Sequence, residues 1–414
     1  MKEFLDKVAD CLELADVGMD YDFRSGDEWS SIQGLSLIMM MESDYHRKMS
    51  VEEFRSLKTV ADLASACGIN GEIKESVIAE DGVAELSESR MNDVKELIGD
   101  RFGQTSVRLL EYFADNPTQE GRPLGEVAYE GGRLMAFRAA LRRRMYLKQE
   151  LVYGSVGAML VARQDASPVQ IANLLKRNVA PREGSSIFFA NTSNSASVKL
   201  NQMVGVDGEG PASCAVSRFA ITYMPKAFRF LVRNPSARVL RTIDPAVFDG
   251  FWGRYLKSNV GLVTSRSAKE LQWMFGGLLA TGECVLLGAF SGQELVGYII
   301  FKKQGGHFER WVVADWIALE NNRKILKQLL VSAVRYLRKY TDAFMLQSVG
   351  FPDFVQPIIK WRMPFWKRCA SMTFIWKAHG DRLAKIPEGS WFFGPYDGDR
   401  GMGIPGQFAG GPCA

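Results

Sequence analysis

Apolar positions follow a helical period through the first 68 residues and mix helical with alternating periods after about residue 91. Over residues 2–15, Phe4, Leu5, Val8, Cys11, Leu12 and Leu14 recur at helical spacing and predict an amphipathic helix. A loop with Gly18, Asp20, Asp22, Ser25 and Gly26 follows. Leu35, Leu37, Ile38 and Met41 predict a second helix over 31–45, Ser50 and Glu53 have capping-box spacing for a short third, and Thr59 opens a fourth with Val60, Leu63 and Ala64 inward. Four helices in residues 1–68 predict an all-α bundle. Residues 69–90 are acidic, lack aromatic residues and read as a linker.

From 91 onward the pattern predicts α+β structure: helical periodicity over 91–115, a hairpin turning at Gly131-Gly132, a strand over 155–162 and a helix over 167–178. A strand over 185–190, a helix over 195–203 closed by Gly205, and strands over 214–222 and 227–232 follow. The order then recurs. The segment at Val127 matches that at Gly288, with Gly131 opposite Gly292 and Phe137 opposite Tyr298, a period of about 160 residues. The second copy predicts a strand over 311–319, a helix over 322–340, a strand over 343–349, a helix over 354–366 and a strand over 371–376. The expected fold class is therefore multidomain, a four-helix bundle followed by tandem α+β domains at 91–235 and 236–385, with a Gly-rich tail at 386–414.

Composition adds a charge division. The 414 residues are 47% hydrophobic, which excludes a disordered chain, and the net charge is +4. Residues 1–68 hold 7 basic and 14 acidic residues (−7), residues 69–92 hold 2 and 6 (−4), and the remainder holds 42 and 27 (+15). The near-neutral total points away from a nucleic-acid partner. No apolar run approaches the roughly 20 residues of a membrane span, and the N-terminus has no signal core, so the expected location is cytoplasmic. Six cysteines without paired spacing and three histidines argue against a disulfide framework and a metal site.

Trp29-Ser30-Ser31-Ile32, then Leu35, Leu37, Ile38, Glu42, Tyr45, Ser50, Glu52, Glu53, Leu57-Lys58-Thr59-Val60 and Leu63 resemble acyl and peptidyl carrier proteins over residues 1–68. That resemblance implies a 4′-phosphopantetheine arm on Ser31, attached by a phosphopantetheinyl transferase and charged by an acyl- or aminoacyl-loading enzyme. A serine at a helix start presents its hydroxyl where the positive helix end favours a phosphodiester. Ser30 stands where the family has aspartate, and the alternative reading of Ser31 is a plain helix cap.

The repeated element order, with Phe189-Ala190-Asn191-Thr192-Ser193-Asn194, Ser197, Leu200 and Gly205-Val206, resembles the GNAT acyltransferase superfamily in tandem over 91–385. Two departures follow. The glycine-rich pyrophosphate loop of that family corresponds to Arg163-Gln164-Asp165-Ala166-Ser167-Pro168 in the first copy and to Glu320-Asn321-Asn322-Arg323 in the second, and the family's tyrosine acid falls on Asn201. The arm of the tethered carrier is therefore the expected donor, ahead of acyl-CoA. The combined resemblances imply transfer of an acyl or aminoacyl group between the thioester on Ser31 and a small amine or hydroxyl acceptor. The alternative is a non-catalytic scaffold that presents or protects the loaded carrier.

Asp315, a carboxylate among apolar residues, is the candidate base, with Glu309 and His307 as alternates; a structural ion pair of Asp315 with Arg310 or Lys303 is the competing reading. Arg138, Arg142, Arg143 and Arg144 form a candidate basic edge for docking the acidic carrier, or else a solvated edge strand.

Overall fold

A computed structural model describes residues 2–12, 14, 16–25, 31–45, 47, 49, 51–67, 82–181, 185–192, 195–205, 208–209, 218–223, 226–259, 261–304, 309–341, 343–348, 365–368, 373–379, 383, 391–392 and 396. Residues 69–81, where a linker is expected, residues 354–364 of the expected helix 354–366, Trp29, Ser30, His307 and residues 397–414 lie outside this set.

The N-terminal helices are α1 (Lys2–Leu12), α2 (Ser31–Tyr45), α3 (Val51–Ser56) and α4 (Val60–Ala66). Thr59 caps α4 in a reciprocal box with Asp62, whose carboxylate is held below its usual pKa by backbone N–H donors from Thr59 and Lys58. Phe4, Val8, Leu37, Met41, Phe54 and Leu63 are buried in a common core.

Two mixed sheets follow. In chain order the elements are β1 (Gly82–Glu85), α5 (Met91–Phe102), α6 (Gln104–Ala114), β2 (Gly125–Glu130), β3 (Arg133–Leu147), β4 (Glu150–Ala162), α7 (Pro168–Val179), β5 (Ile187–Thr192), α8 (Ser195–Met203), β6 (Gly208–Glu209) and β7 (Arg218–Tyr223). They continue as β8 (Arg238–Leu240), α9 (Pro245–Ser258), β9 (Leu262–Thr264), α10 (Ala268–Ala280), β10 (Cys284–Ser291), β11 (Glu294–Gln304), β12 (Glu309–Ala318), α11 (Arg323–Tyr340), β13 (Ala343–Ser348), β14 (Phe365–Arg368), β15 (Thr373–Ala378) and β16 (Trp391–Phe392).

The first sheet runs β1-β2-β3-β4-β5-β15-β6, with β9 and β16 paired beyond β3; the second runs β8-β10-β11-β12-β13-β7-β14. Position for position the two orders correspond. In each, the strand pair β4/β5 or β12/β13 is parallel while its neighbours are antiparallel. The hairpin turns correspond too: Gly131 and Gly292 both have positive φ, +55° and +62°, a conformation that any Cβ would strain. Each sheet also has a bulge at the corresponding place, Met159 on β4 (φ +43°) and Ala314 on β12.

One feature departs from the expected domain boundaries. β15, from the end of the second copy, pairs with β5 of the first sheet from Thr373↔Thr192 to Ala378↔Ile187, while β7, from the end of the first copy, pairs with β13 of the second. The copies exchange their equivalent strands, so neither sheet is built from one contiguous segment. The faces of both sheets meet in one core with α5, α6, α9 and α10, including Phe137, Leu141, Leu286 and Tyr298. Outward, α7 and α8 cover the first sheet and α11 the second. Residues 227–232, which the alternation of Phe228 and Phe230 predicts as a strand, form a 3-10 turn over Lys226–Leu231 instead, bracketed by Pro225 and Pro235. Tyr396, in the segment expected to be tail loop, is buried in the common core. Among the described residues no helix is long and apolar enough to cross a membrane.

Candidate functional site

β4 and β5 are paired only at Gly154↔Ile187, Ser155↔Phe188 and Val156↔Phe189, and beyond these residues they part. Helix α2 packs on α7 and α8: Leu35 and Met39 are buried in the same cluster as Ile171 and Leu175 of α7, Phe188 of β5 and Leu200 of α8. Polar contacts flank the apolar seat. Lys176 pairs with Glu42 at 2.9 Å, Lys199 Nζ donates to the Asp10 carbonyl at 3.0 Å, and Arg55 donates to the Asp165 carbonyl at 3.0 Å. Ser31 is the first residue of α2, whose first turn carries no acidic side chain.

Leu35 and Leu37 therefore have different tasks, since Leu37 is buried in the core of the N-terminal helices. Leu35→Ala is expected to cost about 2–5 kcal/mol of docking. Its signature is faster amide exchange in α7 and α8 with the helical circular dichroism retained. Leu37→Ala should instead lose that helicity.

The N-terminus of α7 is satisfied by its own chain. Ser167 Oγ accepts from the Val169 and Gln170 amides, and Gln170 Oε1 accepts from the Ser167 amide at 3.1 Å. Asn322 Oδ1 likewise accepts from the Lys324 and Ile325 amides at the start of α11. Both helix starts thus commit to caps the N–H groups that would hold a phosphate.

The four arginines of β3 do not meet the acidic helices. β3 lies between β2 and β4, so it is not an edge strand and both its faces are covered. Arg138 and Arg143 are buried, Arg142 pairs with Glu120 and stacks on Tyr153, and Arg144 donates to Glu270 at 3.1 Å. The contacts of the N-terminal helices are with α7 and α8, where Lys176 pairs with Glu42 and Lys199 donates to the Asp10 carbonyl.

Asp315 lies between the sheets. The bulge at Ala314 puts both Ala314 and Asp315 on the common-core side of β12, where Arg266 donates to both Asp315 oxygens at 3.1–3.2 Å and Tyr298 Oη donates to Oδ2 at 2.7 Å. The expected partners are Arg310 and Lys303; the partner found is Arg266, which follows β9 and is wholly buried. Burial, with Asp315 adding to it, pushes the Tyr298 hydroxyl well above its usual pKa, keeping it a donor. Tyr396 completes the cluster: its hydroxyl donates to the Ser265 carbonyl at 2.6 Å and its ring faces the guanidinium groups of Arg266 and Arg143. Nothing in the local sequence marks Arg266 or Tyr396 as partners of Asp315. Glu309 opens β12, and its side chain, like His307, is outside the described residues.

A cleft of about 650 Å³ opens beside the C-terminal end of α7, against β2, β3 and β4, lined by Glu126, Ala140, Arg142, Ser155 and Arg177 among others.

No protein-family model and no curated protein matches the sequence. Among solved structures, the chain is similar to a GCN5-related N-acetyltransferase from Anabaena variabilis at 12% identity and TM-score 0.48, over 72% of this chain and 73% of that one. A probable N-acyltransferase from Enterococcus faecalis gives 12% identity and TM-score 0.48, over 72% of each chain. N-myristoyltransferase from Saccharomyces cerevisiae, solved with bound myristoyl-CoA and inhibitors, gives 9% identity and TM-score 0.43, over 77% of this chain and 88% of that one.

Proposed function

We propose that this chain moves an acyl or aminoacyl group between a phosphopantetheine thioester on Ser31 and an amine or hydroxyl acceptor, with the first copy as the working half. The observation that carries this reading is the seat of α2: the helix opened by Ser31 packs by Leu35 and Met39 against α7 and α8, the two helices that follow β4 and β5. The residues at Ser31 suit the group, because the start of a 15-residue helix without an acidic first turn favours a phosphodiester. Once attached, the arm supplies a thiol on a flexible tether, and tethering gives an effective concentration of order millimolar, so shallow docking suffices. Transfer also requires that the thioester carbonyl be polarised and the nucleophile's proton be taken. The facing backbone groups of β4 beyond Val156 and of β5 beyond Phe189 have no strand between them and are suited to the first task. Asp315 enters this reading as the counter-ion of Arg266, not as the base.

A specific observation also favours the scaffold reading: Leu35 and Met39 of α2 are both buried against α7 and α8. One experiment separates the two. Incubation with CoA and a phosphopantetheinyl transferase is expected to add one phosphopantetheine mass to the wild type and none to Ser31→Ala. Loss of an acyl group from the loaded arm to added amines supports transfer, and retention of that group supports the scaffold. No added mass on the wild type overturns both.

A further inference from the structure

Arg138 is a buried cation, and Glu126, the buried carboxylate opposite it on β2, is turned to Asn178. Arg138 is 5% exposed, yet among the described residues no carboxylate pairs with it. Its partners are the Asn201 side chain, where Nη2 donates to Oδ1 at 3.1 Å, and the Phe188 ring, 5.4 Å from the guanidinium carbon. Nη1 has no hydrogen-bond partner. Such a group is costly, because a charge taken out of water needs a counter-charge or a full set of acceptors. Burial alone lowers its pKa to about 10, so it remains charged at neutral pH.

The surrounding residues are shaped to this head group. Gly157 sits where β4 leaves β5, and a Cβ there would come within 2.5 Å of Arg138 Nη2 and 2.8 Å of the Phe188 ring. Gly157 therefore admits the guanidinium into the parting of the strands. Two residues earlier on β4, Ser155 Oγ is also buried without a partner. Ser155 lines the 650 Å³ cleft together with Ala140, two residues along β3 from Arg138, and Glu126, its neighbour across β2 and β3. Glu126 is turned to Asn178, whose amide donates to it. The cleft thus reaches the part of the sheet from which Arg138 arises, and its volume suits a small molecule.

We propose that Arg138, held by Asn201 beside the cleft, and Ser155 on the cleft wall bind the carboxylate of a small molecule entering from this cleft. A carboxylate presents two acceptor oxygens in the plane of the guanidinium fork, and Ser155 Oγ supplies a further donor. As the site of the transferred group or its acceptor, it rests on the transfer reading above. As an anion site it does not.

The test is thermal unfolding with acetate, malonate or succinate against chloride at matched ionic strength, on wild type, Arg138→Met and Ser31→Ala. The carboxylates are expected to raise the wild-type midpoint. Arg138→Met, which removes the uncompensated charge at similar volume, should start about 2–4 °C higher than wild type and not respond. Phosphate and sulfate arms distinguish a planar from a tetrahedral preference, and a response to these two alone overturns the carboxylate assignment. Equal responses in wild type and Arg138→Met are a general salt effect and overturn the site, as does no response in wild type. Arg138→Lys guards against misfolding, because it keeps the charge and should retain a weakened response. Ser31→Ala, which loads no arm, should respond as wild type does; a wild type that binds carboxylates yet takes up no phosphopantetheine mass leaves this inference standing while the transfer reading fails.

Discussion

Asp315→Ala is expected to destabilise the protein by about 3–5 kcal/mol, because it leaves the Arg266 guanidinium buried without its counter-ion. The measurement is a urea titration followed by tryptophan fluorescence. Arg266→Ala should cost a similar amount. The double variant Arg266→Met with Asp315→Leu should recover much of the loss, since replacing both charges by apolar groups leaves no unpaired charge, and adding Tyr298→Phe removes the hydroxyl that loses its acceptor. Tyr298→Phe, which deletes one 2.7 Å bond to the carboxylate, should cost about 1–3 kcal/mol. A catalytic Asp315 predicts a different pattern, with Asp315→Ala unfolding at the wild-type midpoint while transfer from the loaded arm stops. Wild-type stability in Asp315→Ala would overturn the structural role described for this pair.

The second large effect concerns the exchanged strands. A chain ended after Arg368 loses β15, and with it the partner of β5 and β6 in the first sheet. Amide exchange over Ile187–Thr192 is expected to speed up by about 100-fold, equivalent to about 2.7 kcal/mol of local opening, while β11 and β12 of the second sheet keep their protection. A chain ended after Ala378 keeps β15 and loses Tyr396, so it isolates the contribution of the tail. Unchanged exchange at β5 in the shorter chain would show that the exchanged strand does not hold the first sheet.

The helices and the repeat are legible in the sequence because their signals are local. The spacing of Phe4, Val8 and Leu12 marks a buried face, and Thr59, a capping residue three positions ahead of Asp62, marks the start of α4. The turn glycines Gly131 and Gly292 align the two copies because backbone conformation at a turn limits residue choice. Strand exchange is not legible, since β7 and β15 carry the same pattern whichever sheet receives them. For Asp315, sequence order and ladder geometry point to Arg310 on its own strand β12 and to Lys303 on the neighbouring β11. The bulge at Ala314 turns the carboxylate to the core side, and only the tertiary fold brings Arg266 there. The arginines of β3 suggest an exposed edge because charge on a strand usually marks one. β2 on one side and β4 on the other, both in the adjoining sequence, are the signal that β3 is internal.

The reciprocal strands also set an order of events during synthesis. Thr192 leaves the ribosome long before its partner Thr373, and at roughly 5–20 residues per second the interval is about 10–40 seconds. Through that interval β5 offers an unpaired edge to the nascent chain's surroundings, and the N-terminal helices already have α7 and α8 to rest on. The first copy cannot finish before the last residues of the second have appeared. The two halves of this protein therefore mature together rather than one after the other.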